Sequence, residues 1–116
     1  MRVISQDGTI DVPYETGSLN MICKELVEPK RTTIYYHHSC FGVAIKLAEY
    51  STEEKTIKAM EMLREQYSRI EIIKALASGT CKHMEESLKP EEFKDILKKY
   101  INMEVFQFPQ DDEIEV

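Results

Sequence analysis

The sequence lacks both a long hydrophobic run and a concentration of basic residues. A transmembrane helix needs about 18 or more consecutive apolar residues, so we expect no helical membrane span. Duplex nucleic acids are bound by clustered lysine and arginine, whereas this chain carries a net charge of −6 and disperses its basic residues. These two absences predict that neither a membrane nor a nucleic-acid duplex is a partner.

Cysteine and glycine are also scarce, with three and four copies respectively. Three cysteines without a framework spacing favour a reducing compartment over a disulfide-stabilised secreted fold. The N-terminal segment is polar after two apolar residues, unlike a signal peptide, and we therefore expect a cytoplasmic location. The glycines are isolated from one another, so no phosphate-cradling loop is predicted and no cofactor is expected.

A chain of 116 residues with 42% hydrophobic and 31% charged residues has the composition of one ordinary globular domain. We assign residues 1–109 to a single α+β domain. Residues 110–116 are acidic and follow a proline, which predicts a frayed C-terminal tail.

The strongest pattern is a long amphipathic helix over residues 52–77, roughly 39 Å long at 1.5 Å per residue. Ser51 and Glu54 have the spacing of a capping box, and Gly79 is suited to a helix stop. A break between Gln66 and Arg69 is the alternative to one continuous rod. The apolar positions that recur at helical spacing are Ile57, Met60, Leu63, Tyr67, Ile70, Ile73 and Leu76.

Five short strands are predicted before this helix. Asp7-Gly8 lies between alternating segments and predicts a hairpin with a type I′ turn, in which Val3 is opposite Val12. Three further alternating segments follow at residues 19–23, 32–38 and 43–47. The turns between them are too short for parallel crossovers, so we expect an antiparallel meander.

After the long helix, Pro90 fits the first position of a second helix. Its core-facing positions would be Phe93, Ile96, Leu97, Tyr100 and Ile101. Residues 105–108 form a last short strand that ends at Pro109. The predicted fold is therefore an α+β domain in which about five N-terminal antiparallel strands pack on a long helix, followed by a second helix and a C-terminal strand.

One strand collects basic and aromatic side chains. Lys30, Arg31, Thr33, Tyr35 and His37 would lie at its start and along one face, because alternate strand residues point the same way. Such groups stack on and neutralise a nucleotide, or anchor a protein partner. We select Lys30, Arg31, Tyr35 and His37 as the binding residues; the alternative is an ordinary exposed strand face.

Histidine and cysteine near this strand raise two further hypotheses. His37, His38 and Cys40, with Cys81 and His83, are residue types that bind zinc, but their spacing matches no established zinc motif. Cys40 beside a histidine has the components of a nucleophile and its base, although no orienting third group is indicated. We therefore predict no metal and no catalytic residues, and keep an enzyme that uses His37, His38 or Cys40 as the alternative.

Three blocks carry a resemblance: MRVISQDGTIDVPYE at 1–15, AEYSTEEKTIKAMEMLREQY at 48–67 and FQFPQDDEIEV at 106–116. They resemble short, functionally uncharacterised proteins of phages and prophages of low-GC Gram-positive bacteria. The resemblance implies an accessory protein made in the cytoplasm of a bacterial host cell, a context in which inhibitors of host defence are common. It assigns no role to any residue.

We therefore expect a non-enzymatic binding protein that neutralises a host immune component. Its partner would be a host protein or a small nucleotide-like ligand. We also expect a homo-oligomer, because a helix of this length should extend beyond its sheet and expose apolar surface.

Overall fold

A computed structural model describes residues 1–24, 31–38, 40, 42–87 and 90–115, without the side chains of 24, 76–87, 90, 93, 96, 97 and 100. Its elements in chain order are β1 (Arg2–Ile4), β2 (Asp11–Pro13), β3 (Gly17–Lys24), β4 (Arg31–His38), β5 (Ala44–Tyr50), α1 (Glu53–Ser87), α2 (Pro90–Met103) and β6 (Val105–Gln107). The predicted α+β class is confirmed, with five strands before the long helix and one after the second helix.

The strands are shared between two three-stranded sheets. β1 pairs antiparallel with β2 and, on its other side, parallel with β6. In the second sheet β4 is central and antiparallel to both β3 and β5. Every pairing among the first five strands is antiparallel, as expected, while the division into two sheets and the parallel position of β6 were not predicted.

The first hairpin has the predicted register but a different turn. Val3 lies opposite Val12, and the Gly8 N–H donates to the Ser5 carbonyl at 2.9 Å. Within this turn only Gly8 has a positive φ, 78°, so the predicted type I′ turn, which needs two such residues, is wrong. Asp7 keeps a negative φ because its carboxylate accepts hydrogen bonds from the Ser5 hydroxyl and from Thr9.

The long helix begins one residue later than predicted and ends later. Thr52, not Ser51, provides the cap, since its Oγ1 accepts the Lys55 N–H at 3.2 Å. The predicted capping box is therefore wrong. The helix also continues through Gly79 to Ser87, without a break between Gln66 and Arg69. Glycine weakens a helix by about 1 kcal/mol relative to alanine but does not forbid one.

At the start of α1 the buried face includes Thr56 rather than the predicted Ile57. Thr56, Ala59, Leu63 and Ile70 are at most 1% exposed, and α1 packs against β4, β5 and α2. Ile57, predicted to be in the core, is 42% exposed. Thr56 replaces it because its hydroxyl donates to the Thr52 carbonyl at 3.0 Å, so no unsatisfied polar group is buried.

The C-terminal segment is docked rather than frayed over residues 110–115, contrary to prediction. Asp111 accepts hydrogen bonds from the Ser51 backbone at 2.7 Å and its hydroxyl at 3.0 Å, and from Lys55 at 3.2 Å. Ile114 is only 5% exposed and belongs to the core. The Gln110 amide donates to the Gln6 carbonyl at 2.6 Å. These contacts fix the segment beside the start of α1.

The second helix starts at Pro90 and the last strand ends before Pro109, as expected. Ile101, predicted to face the core, is 63% exposed. The other four core positions predicted for α2 lie outside the described side chains. Neither helix, over its described residues, combines the length and apolar character needed to cross a membrane.

Candidate functional site

The outer face of the sheet β3-β4-β5 carries the predicted binding residues. On β4, Ile34 and Tyr36 point inward and are at most 2% exposed, whereas Arg31, Tyr35 and His37 lie on the opposite face. We call Arg31, Tyr35 and His37, with Lys46 and Glu49 of β5, the outer β4 face. The structure thus brings three of the four predicted residues onto one surface; Lys30 lies outside the described residues.

At the end of this face that carries Arg31 and Lys46, the carboxylate of Glu49 lies near both cationic side chains. Glu49 Oε2 is 2.6 Å from Lys46 Nζ, and Glu49 Oε1 is 4.0 Å from Arg31 Nε. A shallow cavity of about 260 Å³ beside them is lined by Gln6, Asp7, Arg31 and residues 46–49. Because the carboxylates of Glu49 and Asp7 accompany Arg31 and Lys46, the charges around this cavity sum to zero, while the guanidinium and ammonium groups carry more N–H donors than Glu49 can accept.

Sequence reasoning missed Lys46 and Glu49 because of a β-bulge. Residues three apart on a regular strand point to opposite faces. Here the register shifts between Ile34↔Ala48 and Tyr35↔Lys46, so Leu47 is an extra residue and both charged side chains emerge on the outer face. No local sequence signal places a bulge at this position.

The other end of the face is a cavity around His37. Its volume is about 390 Å³, and its lining is Glu15, Thr16, Gly17, Ser18 and His37. His37 Nε2 is buried and has no hydrogen-bond partner among the described residues. A buried polar atom left unpaired costs about 1–3 kcal/mol, so a group supplied from outside would stabilise this position.

Glu15, in the wall of this cavity, is an anion under ordinary conditions. Partial burial raises the pKa of its carboxyl, but hydrogen bonds from the amino terminus and from its own backbone outweigh that effect. The net result is a pKa below the ordinary value. The carboxylate in the cavity wall is therefore ionised and paired with the terminal ammonium group.

The close contact between Gly17 and the Tyr36 ring fixes the wall of this cavity. The Tyr36 hydroxyl donates to the Pro13 carbonyl at 2.7 Å, and its ring passes directly over Gly17. A Cβ on residue 17 would lie well inside van der Waals contact with ring atoms of Tyr36. The close approach explains the glycine and fixes the backbone of the segment that forms the cavity wall.

The components of the enzyme hypothesis are not assembled over the described residues. His37 and His38 are neighbours on a strand and so point to opposite faces. His38 Nδ1 accepts the backbone N–H of Cys40 at 3.1 Å, which occupies the lone pair that a general base would use. Cys40 is exposed, and no group of three metal-binding side chains occurs in the described part of the chain. The side chains of Cys81 and His83 lie outside it.

Comparisons with known protein families, curated proteins and solved structures give no match. The chemistry of the outer β4 face must therefore be interpreted from its own residues.

Proposed function

We propose that the chain is a non-enzymatic binding protein of phage or prophage type, which acts in the bacterial cytoplasm by occupying a host protein through the outer β4 face. The observation that carries this proposal is the buried Nε2 of His37, which has no hydrogen-bond partner among the described residues, at one end of a strand face on which Arg31 is exposed and Tyr35 is half-buried. A partner that inserts a hydrogen-bonding group there would remove the desolvation penalty of that nitrogen. Counter-defence is the role that the phage-like blocks suggest for such a protein.

The dimensions of the face favour a protein over a small nucleotide as the partner. Arg31 and His37 are six residues apart on β4, which corresponds to roughly 20 Å at 3.3 Å per residue. A single nucleotide is too short to contact both. Glu49 also competes with a phosphate for Arg31 and Lys46. A protein surface with a carboxylate at one end and a hydrogen-bonding group at the other would match both ends.

Tyr35 lies at the centre of the outer β4 face. It is half-buried between the two cavities and has Asn20 and Lys46 as cross-strand neighbours. Tyrosine at the middle of an interface combines a large apolar area with one hydrogen-bonding group, and such residues often dominate binding energies. We therefore expect Tyr35 to contribute more to binding than either end.

The test is affinity capture from host lysate with matched variants, with proteins and small molecules identified by mass spectrometry. Tyr35→Ala and His37→Ala should each lose the captured protein, while Lys58→Ala on the exposed side of α1 should retain it. Far-UV circular dichroism of each variant verifies that the fold is intact. Retention by both site variants would contradict the proposal.

The same experiment separates the two alternatives. A nucleotide recovered with the wild type and lost with Arg31→Ala would favour a small-ligand trap. Turnover of a captured compound that is abolished by Cys40→Ser would favour the enzyme. Neither outcome is compatible with a protein partner bound through Tyr35.

A further inference from the structure

Three of the four sheet edges in the described chain are blocked, and one is open. On β5, the Gln6 N–H donates to the Leu47 carbonyl at 2.8 Å, and Gln6 Oε1 accepts the Glu49 N–H at 3.0 Å. On β6, the Gln66 amide donates to the Val105 carbonyl at 2.9 Å. β2 is three residues long and ends in a proline. All three are established ways to prevent edge-to-edge pairing.

β3 has no such protection. It is eight residues long, and none of the described residues hydrogen-bonds to the edge that faces away from β4. Beside that edge lies a cavity of about 400 Å³, lined by residues 19–22 and by Ile57, Met60 and Arg64. Ile22 and Ile57 are 46% and 42% exposed. The groove exists because α1 packs mainly on β4 and β5, so Leu19 and Met21 on the inner face of β3 are only partly buried.

We propose that β3 pairs antiparallel with β3 of a second copy of this chain, in a register centred on Asn20, so that two three-stranded sheets become one six-stranded sheet. This inference does not depend on the proposed function. In this register Met21 lies opposite the partner's Leu19, and Asn20 lies opposite the partner's Asn20. Met21 therefore meets an apolar side chain on the inner face, while on the outer face Asn20 meets its own copy and Ile22 lies opposite the partner's Ser18.

The neighbouring helix has a charge order that suits a two-fold axis. Glu53, Ile57, Met60 and Arg64 follow one another along the α1 surface nearest the groove, with an acid at one end and a base at the other. In the proposed dimer the two α1 helices run antiparallel, so Arg64 of one helix lies towards the end of the dimer that carries the partner's Glu53. A parallel arrangement would instead bring like charges to the same side. The surface is thus complementary to itself, as an isologous interface requires.

Closure of the groove would also cover apolar side chains on both elements. Ile57 of α1 is 42% exposed, and Met60 of α1 and Leu19 and Met21 of β3 are only partly buried. Pairing with a second copy would remove part of this apolar surface from water.

Sedimentation velocity at micromolar concentration tests the association directly. The wild type should sediment at about twice 13.5 kDa. Met21→Lys, which places two like charges at the centre of the pairing, should sediment as a monomer with unchanged circular dichroism. Ile72→Lys is the matched control, because Ile72 is 60% exposed on α1 and away from β3; this variant should remain dimeric.

A cross-link provides a second test that does not depend on a destabilising charge. Asn20→Cys, in a background where Cys23, Cys40 and Cys81 are serine, should form an intermolecular disulfide under mild oxidation, because facing residues of paired strands have suitable Cα separations. Val43→Cys, at an exposed position distant from β3, should not. A monomeric wild type, a dimer lost only with Ile72→Lys, or a groove that captures an extended host peptide instead of a second copy would each overturn the proposal.

Discussion

Replacing Gly17 with alanine should destabilise the protein by about 2.3 kcal/mol, the sum of the mid-range values of the three contributions that follow. The added Cβ overlaps the ring of Tyr36, and overpacking of this kind costs typically 1–3 kcal/mol. Displacing the ring also breaks the hydrogen bond from its hydroxyl to Pro13, worth about 1 kcal/mol. The reduced entropy of the unfolded chain offsets roughly 0.4–1 kcal/mol of this loss.

Urea unfolding followed by far-UV circular dichroism, at one fixed protein concentration, measures this effect. With a slope near 1.5 kcal/mol/M, the midpoint of the Gly17→Ala variant should fall by about 1.5 M. Gly42→Ala is the matched control, because apart from its chain neighbours no described residue has an atom within 4 Å of a Cβ placed there. Its midpoint should stay within the roughly 0.5 kcal/mol typical of surface substitutions.

A double-mutant cycle tests the cause as well as the size of the effect. Tyr36→Leu removes the ring atoms that the new methyl group would meet, so Gly17→Ala should cost close to nothing in that background. An undiminished cost in the double mutant would refute the steric explanation. Equal losses for Gly17→Ala and Gly42→Ala would refute it too, since they would point to a general backbone effect.

Three other predictions concern contacts of the docked C-terminal segment, the hairpin and the helix. Asp111→Asn should lower the free energy of unfolding by about 1 kcal/mol near neutral pH, because Asp111 binds Ser51 through charge-assisted hydrogen bonds. The hydrogen bonds from Ser51 and Lys55 outweigh the effect of burial and hold the pKa of Asp111 below 3.8. The difference in unfolding free energy between the variant and the wild type should therefore persist above pH 3.8 and disappear in more acidic solution. Hydrogen bonds from Ser5 and Thr9 lower the pKa of Asp7 from 3.8 to about 2, so the wild type should lose stability as the pH falls through that interval, and Asp7→Asn should lose less in the same acid titration. Gln66→Ala leaves the carbonyls of Met103 and Val105 without their donor and should cost about 1–3 kcal/mol in thermal unfolding; an unchanged melting temperature would show that water replaces the amide.

The local elements of the fold were predictable because their signals lie within a few residues. Alternating residues in the N-terminal half, the hairpin register at Val3 and Val12, and the start of α2 at Pro90 all follow from periodicity and backbone stereochemistry. The helix start was mistaken by one residue because Ser51 and Thr52 are equally good caps in isolation. Asp111, sixty residues away, decides between them by binding Ser51.

The candidate site was predicted in part for the same reason. Alternation alone places Arg31, Tyr35 and His37 on one face of β4. The partners on β5 depend on the bulge at Leu47, and the unpaired nitrogen of His37 depends on how residues 15–18 enclose it. Both are tertiary features, so a pattern confined to one strand carries no information about them.

The parallel pairing of β1 with β6 constrains the order in which the protein forms. These strands are roughly one hundred residues apart in sequence, and contacts of such long range slow folding because a large loop must close before they form. During synthesis the N-terminal hairpin emerges early but lacks its neighbour until β6 has left the ribosome. The hairpin edge therefore lacks this neighbour while residues 14–104 are synthesised, so the first sheet is completed only after the strands of the second sheet and both helices have been made.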